Sequence, residues 1–254
     1  MDSRAVLDLA GLSGKILLQS GAEIYRVQET MLRIMRACGV EDGNVYVVAN
    51  GIFATVHEGQ EDERSLVRHV PLGSVHLGYI HEVNQISRAI EAGTMTPEEA
   101  LRRVASLDIP SERTLLQVFA CAVGSGAFAF MFGGSWQDAL AAIPIGVLLQ
   151  YFLLFVGPHL RRGLSGMGGA LLITVCAELL AQLVPALGRD FIVIGCLMPL
   201  VQDVSFTNAI REFFNGDYLA GITHMLDALM GGVCIACGVA AGLMLAGWVR
   251  GCFL

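Results

Sequence analysis

The chain has 254 residues, 54% of them hydrophobic and 15% charged, with a mean hydropathy of +0.61 and a formal net charge of -7. Ordinary soluble domains carry about a quarter charged residues, so this composition excludes a disordered chain and a purely soluble enzyme, and the acidic balance argues against a nucleic-acid binder, which needs a basic face. The charge is uneven: residues 1–113 hold 11 of the 16 Lys and Arg and 16 of the 23 Asp and Glu, while 20 of the 30 glycines lie beyond them.

The first residues lack a basic stretch followed by an apolar run, so no signal peptide is expected. Val6, Leu9, Leu12, Ile16 and Leu17 recur near helical spacing and predict an amphipathic helix over 4–19. Ser20-Gly21 interrupts it. A second helix follows, with Ile24, Val27, Met31, Ile34 and Met35 on one face, and stops at Cys38-Gly39, where glycine can take the left-handed closing conformation. Val45–Val48, Ile52–Val56 and Ser65–Val70 are rich in β-branched and aromatic residues and predict three strands, with a polar turn at Glu58–Arg64. Residues 75–92 return to helix. Thr96-Pro97-Glu98-Glu99 is a helix start: Thr96 can cap, proline suits the first helical position, and Glu99 can close the capping box.

From residue 114 the pattern changes. A run of about 20 apolar residues crosses a hydrocarbon core of about 30 Å. Thr114–Phe132 and Ala139–Val156 are uncharged runs of that kind. Met167–Leu187 is a third span and contains Glu178. Phe191–Val201 is apolar but too short to cross alone, holds Pro199, and is followed by Gln202-Asp203 and a polar stretch to residue 217. Ala228–Val249 is the last span, with a helix that can begin as early as Asp217-Tyr218. Arg102, Arg103, Arg113, Arg161, Arg162 and Arg211 fall on one side if every apolar segment crosses, and Arg189 and Arg250 on the other. The positive-inside pattern then predicts five crossings, a cytoplasmic N-terminal part and an outward C-terminus. The expected fold is an α-helical multi-pass membrane protein with about five transmembrane segments, one of them broken, preceded by an N-terminal α+β soluble domain. Its expected parts are a cytoplasmic domain over 1–112 and a transmembrane domain over 113–254.

A carboxylate at mid-membrane costs about 2.5–3.5 kcal/mol on insertion scales. Glu178 should therefore face a water-filled cavity or a polar partner. The interrupted segment resembles discontinuous helices, whose freed backbone groups bind substrate. Pro199, Asp203, Thr207, Asn208, Arg211 and Asp217 cluster along it in sequence. Asn208 and Arg211, three apart, can present an amide and a guanidinium together, and a guanidinium can grip a carboxylate at two points. In the N-terminal part the densest polar cluster is Gly21-Ala-Glu-Ile-Tyr-Arg-Val-Gln-Glu29, where Glu23 with Arg26, or Arg26 with Glu29, can pair; on a solvated surface such a pair is worth about 0.2–0.5 kcal/mol. Gly238-Val-Ala-Ala-Gly242 and Gly247-Trp-Val-Arg-Gly251 allow close helix packing without naming the partner. No metal or cofactor site is expected: His81-Glu82 lacks the second histidine, since position 85 is Gln, and Cys234-Ile-Ala-Cys237 has no second pair.

Gly21-Ala-Glu-Ile-Tyr-Arg-Val-Gln-Glu-Thr-Met31 resembles the opening motif of the threonine/serine exporter (ThrE) family, and Thr207-Asn-Ala-Ile-Arg211 with Asn215-Gly-Asp-Tyr-Leu-Ala-Gly221 resembles the stretch after that family's fourth span. The resemblance runs from about residue 7 to 245. It departs at Gln202-Asp203, where members commonly have Pro-Gly, and at Gln28, where they often have Glu. Full-length members have about ten spans in two unlike halves, and this chain is similar to the first, YjjP-like half. The resemblance implies a two-component exporter in the inner membrane, acting with a smaller YjjB-like membrane subunit; the sequence leaves a second copy of this chain open as the partner instead. It also implies small carboxylates as substrates, threonine and serine or dicarboxylates such as succinate, and a gradient rather than ATP as the driving force. The residues expected to line the pathway are Glu178, Pro199, Asp203, Thr207, Asn208, Arg211 and Asp217, with a proton carried at Glu178 or Asp203 and the substrate carboxylate met by Arg211. Gly21, Glu23, Tyr25, Arg26 and Glu29 form the motif of the cytoplasmic domain. The alternatives are a membrane-anchored, hydrolase-like enzyme with chemistry around Glu23, Tyr25, Arg26 and His81, and a receptor or assembly subunit whose soluble domain gates transport.

Overall fold

A computed structural model describes residues 3–58, 62–71, 73, 75–108, 114–201 and 203–253. The expected domain boundary at 110–113, the tip of the polar turn at 59–61 and Gln202 lie outside the described residues, as do the side chains of Arg162, Asp203 and residues 249–253. The chain divides into two compact units, one of Met1–Pro110 with Val204–Met225 and one of Ser111–Asp203 with Leu226–Leu254.

In the first unit, helices α1 (Ser3–Gln19) and α2 (Ile24–Ala37) follow the apolar periodicity. Val6, Leu9, Leu17, Val27, Met31, Ile34 and Met35 are fully buried along their shared faces. Strands β1 (Gly43–Val48), β2 (Gly51–Glu58) and β3 (Asp62–His69) form an antiparallel meander in the order β1-β2-β3, with Val47 opposite Ile52 and Thr55 opposite Ser65. Alternation along the strands sends Val47, Ile52, Ala54 and Val56 into the core and leaves Tyr46, Phe53 and Val67 exposed on the opposite face. Helices α1 and α2 lie on the sheet, and α3 (Leu77–Glu91) and α4 (Pro97–Ala105) pack against them. Thr96 caps α4, its hydroxyl accepting from the Glu99 N–H at 3.3 Å. Helix α9 (Asp203–Phe214) and the first turns of α10 (Tyr218–Phe253) complete this unit. The polar stretch after Pro199 is thus mostly a helix, with Asn208 and Arg211 on adjacent turns, and it has two faces. Asn208, Ala209 and Glu212 are buried with the first unit, whereas Phe206, Ile210 and Phe214 are exposed.

The second unit is a bundle of α5 (Thr114–Met131), α6 (Trp136–Phe155), α7 (Arg162–Leu183), α8 (Arg189–Leu197) and the rest of α10. Its core is made of small and branched side chains: Cys121, Ala129, Ala142, Ile145, Leu149, Ile173, Ala177, Ile192 and Cys196. Its outer surface carries Leu115, Phe119, Phe130, Leu148, Leu183, Leu229 and Met244 in the open, the inverse of a soluble bundle and the condition for contact with lipid. Helices α5, α6, α7 and α10 are each long and apolar enough to cross a membrane; a fifth crossing exists if Arg189–Leu200 and Val204–Phe214 count as one broken span. Glycines decide how closely α7 and α10 approach. A methyl group at Gly238 would meet Ala170 Cβ at 2.9 Å, and one at Gly242 would meet Thr174 Cβ at 2.7 Å, so the first small-residue motif packs within this chain.

Several boundaries differ from those the sequence predicts: β2 runs to Glu58 and β3 starts at Asp62, so cross-strand pairing turns most of the expected polar turn into strand, and two helix boundaries also move. Helix α6 begins at Trp136, ahead of the expected Ala139, because Ser135 and Asp138 form a capping box. The Asp138 carboxylate also accepts from the Gly188 N–H at 2.7 Å. Helix α7 starts at Arg162 and ends at Leu183 rather than running over 167–187. Pro185 is the cause, since a residue before proline is driven out of helical conformation. Glu178 therefore sits near the end of its helix and not at mid-span.

Candidate functional site

The residues of both polar motifs that face inward in the first unit converge on one turn. Helix α1 closes at Ser20-Gly21, where Gly21 has φ +77°, a conformation that disfavours any side chain. The chain then enters α2 through Glu23, which stands at the N-cap position without capping. Its carboxylate is 8% exposed and held from two sides. Oε2 accepts from Arg26 Nε at 3.1 Å, and Oε1 is paired with the guanidinium of Arg211 from α9. Arg26 Nε also reaches the Tyr25 hydroxyl at 3.0 Å, and its guanidinium lies over the Tyr25 ring. One turn before Arg211, the buried Asn208 donates from Nδ2 to the Gly21 carbonyl at 3.4 Å. An amide and a guanidinium, three apart on α9, thus both engage the Gly21–Glu23 turn. The Arg211 side chain remains 49% exposed, so it can be reached from solvent.

Behind this pair lies a second acidic group. Glu212 is 2% exposed, and no donor meets hydrogen-bond geometry at either of its oxygens. His224 Nε2, from α10, stands 3.6 Å from Oε1. Burial pushes the Glu212 carboxyl up to about 7; the nearby Ile24 N–H opposes that rise, and the Asp217 charge adds to it. Asp217 is the N-cap of α10, its Oδ1 accepting from the Ala220 N–H at 3.2 Å. Glu212 and His224 were not singled out from the sequence. The available signal is spacing: Glu212 follows Asn208 by four positions and so shares its face, opposite Phe206, Ile210 and Phe214.

The remaining candidates are not gathered here. Glu29 pairs with Arg33 at 2.7 Å rather than with Arg26, and it is exposed, as is Thr207. In the second unit Pro199 is exposed, within the short 3-10 turn Met198–Leu200 that follows α8. Glu178 accepts from Arg189 Nη1 at 2.5 Å; its side chain is 3% exposed and that of Arg189 47%. For the enzymatic alternative, His81, Glu82, Arg103, Ser106 and Asp108 line a cavity of about 400 Å³. There the His81 ring is engaged with Gln85 at 2.8 Å and the Ser106 hydroxyl donates to the Arg103 carbonyl.

Against known proteins, the family described as "Putative threonine/serine exporter" (ThrE) matches residues 8–246. A threonine/serine exporter of Corynebacterium glutamicum is 23% identical over 253 residues, covering 94% of this chain and 51% of that protein. An uncharacterized protein of Schizosaccharomyces pombe is 26% identical over 180 residues, covering 66% of this chain and 21% of that protein. The chain thus spans about half the length of the first relative and about a fifth of the second. No solved structure matches it.

Proposed function

The chain belongs to the threonine/serine exporter family, and from that premise we propose that it is one subunit of a secondary exporter that moves small carboxylates, threonine and serine or dicarboxylates such as succinate, out across the inner membrane. The other half of the exporter, in this proposal, is a separate membrane subunit of the smaller YjjB-like type, as the resemblance to the first half of the family implies. In this reading the sheet-bearing unit faces the cytoplasm, α5, α6, α7 and α10 cross the bilayer, and the exposed row Phe206, Ile210 and Phe214 lets α9 lie along the headgroup boundary.

The observation that carries the reading is the pairing of Arg211 with Glu23. A half-exposed guanidinium already holding a carboxylate is a carboxylate site occupied by the protein's own side chain. The carboxylate of an incoming substrate has the same charge and two-oxygen geometry, so it can exchange with Glu23 at Arg211. Release of Glu23 then unlatches α2 from α9, which ties arrival of substrate to a movement of the helix that leads into α10. Asn208 keeps α9 in register on the Gly21 carbonyl until that happens. Glu178 and Arg189, at the opposite end of α7 from the basic residues Arg161 and Arg162, form the second charged element of the path. In the same reading Asp203, the first residue of α9, and Thr207, one turn on, belong to the path as well.

The test is efflux of labelled threonine, serine and succinate from cells carrying this chain with and without a co-expressed YjjB-like subunit. Export that requires both proteins and is lost in Arg211→Ala, with the variant still present in the membrane, supports the reading. Full export by Arg211→Ala contradicts it.

A further inference from the structure

The latch between Glu23 and Arg211 leaves one ionisable group unused. Glu212 occupies the inner face of α9, next in sequence to Arg211 and one turn from Asn208, and is sealed at 2% exposure. A carboxylate in such a place is cut off from water and has only the Ile24 amide and the His224 ring near it, none at full hydrogen-bond geometry, a state that buried charges avoid by taking up a proton. The groups facing it come from each neighbouring element. Helix α2 contributes the Ile24 amide and Glu23, the latter already neutralised by Arg26 and Arg211. The turn before α10 contributes Asp217, whose negative charge disfavours a second anion. Helix α10 contributes His224, 3.6 Å from the carboxyl. Two titratable side chains at that distance bind and release protons as a pair rather than separately.

We propose that Glu212 and His224 form a proton-binding site within the first unit, and that its occupancy decides whether α9 stays latched to α2. With one proton bound the pair is neutral, the proton resting on the Glu212 carboxyl and His224 an imidazole, and α9 packs as described. Loss of that proton leaves a buried anion poorly compensated by the Ile24 amide and a neutral imidazole. The anion recovers hydration only if α9 lifts from α2, and the same movement withdraws Asn208 from Gly21 and Arg211 from Glu23. The site rests on the exporter reading only for its consequence, which is that cytoplasmic proton concentration sets how readily Arg211 is offered to substrate.

The site itself is tested without transport, on the purified full-length protein in lipid nanodiscs. Infrared difference spectra between about pH 5 and pH 9 should show one protonated-carboxyl band that disappears with a midpoint near neutrality and is absent in Glu212→Gln. Hydrogen exchange of the α9 amides should quicken across the same midpoint, by up to roughly a hundredfold, and lose its pH dependence in Glu212→Gln. If that variant does not fold, His224→Gln serves instead: the anion loses the ring that stands nearest to it and can share its proton, so the band midpoint must move to higher pH. Absence of a carboxyl band near neutrality, pH-indifferent α9 exchange in the wild-type chain, or an unmoved midpoint in His224→Gln would overturn the proposal. Threonine efflux that proves absent while the carboxyl titrates as described would remove the exporter reading and leave the proton site standing.

Discussion

Arg211 on α9 is paired with Glu23 at the start of α2, and through this one contact the two polar motifs of the chain, far apart in sequence, become a single site. The pair is neither a plain surface bridge nor a sealed one. Glu23 is buried while Arg26 and Arg211 are both open to solvent, so the carboxylate depends on two arginines that solvent can reach, of which Arg211 comes from α9.

That asymmetry predicts different outcomes for the two partners. Glu23→Gln removes the internal competitor and should leave Arg211 more available, so that the concentration of threonine giving half-maximal efflux falls several-fold. Arg211→Lys keeps the charge but loses the planar two-point grip and should raise the same concentration by about tenfold. Initial efflux rates over a range of loaded threonine concentrations measure both.

The acid in the interior gives a stability prediction with a definite sign. The folded-state value of Glu212 lies at about 7, above its ordinary value of 4.5. The native state therefore holds this proton more tightly than the unfolded chain. The stability it contributes is fully present below about pH 4.5 and is lost as pH rises through about 7. Thermal unfolding of the purified protein between pH 5 and pH 8 should show a falling midpoint, and Glu212→Gln should flatten that slope.

The contact of α7 with α10 gives a third. A side chain larger than hydrogen at Gly238 or Gly242 has no room against Ala170 or Thr174, so Gly238→Val or Gly242→Val should destabilise the protein by about 1–3 kcal/mol. Gly247→Val meets nothing within 4 Å and should be neutral. Melting temperatures in one detergent distinguish the three.

The loop between α7 and α8 gives a fourth. Asp138 joins the Ser135 cap to the Gly188 N–H, so Asp138→Ala unties the start of α6 and leaves a backbone donor without its acceptor. A loss of about 1–3 kcal/mol is expected. Asp138→Asn, which retains one carbonyl oxygen, should lose less. Thermal unfolding of both variants checks the order.

Much of the secondary structure was legible because it follows local rules. The apolar stripe of α2, the β-branched strands and the Thr96-Pro97 start each declare themselves within a few residues, and the structure places an element at each. Boundaries failed where a short-range rule was outweighed by a neighbour. An apolar run to Leu187 reads as one span, but Pro185 stops the helix at Leu183, and this moves Glu178 from mid-span to a helix end beside Arg189. The site was half legible. Glu23, Arg26, Asn208 and Arg211 stood out as polar residues at helical spacing, but nothing local says that Asn208 would meet Gly21 or that Glu212 would be buried. Burial of that carboxyl is the joint work of α2, α9 and the start of α10, and such information lies in the tertiary fold.

The most direct test is the charge exchange Glu23→Arg with Arg211→Glu, read by threonine efflux in the presence of the partner subunit. A swapped pair can still bridge α2 and α9, with Arg26 now beside a like charge, so protein amount should stay near the wild-type value while the melting temperature falls modestly. Efflux should nevertheless be abolished, because no guanidinium then stands on α9 to receive the substrate. Efflux restored to the wild-type rate would mean that the pair is a structural tie alone and that the substrate carboxylate is met elsewhere.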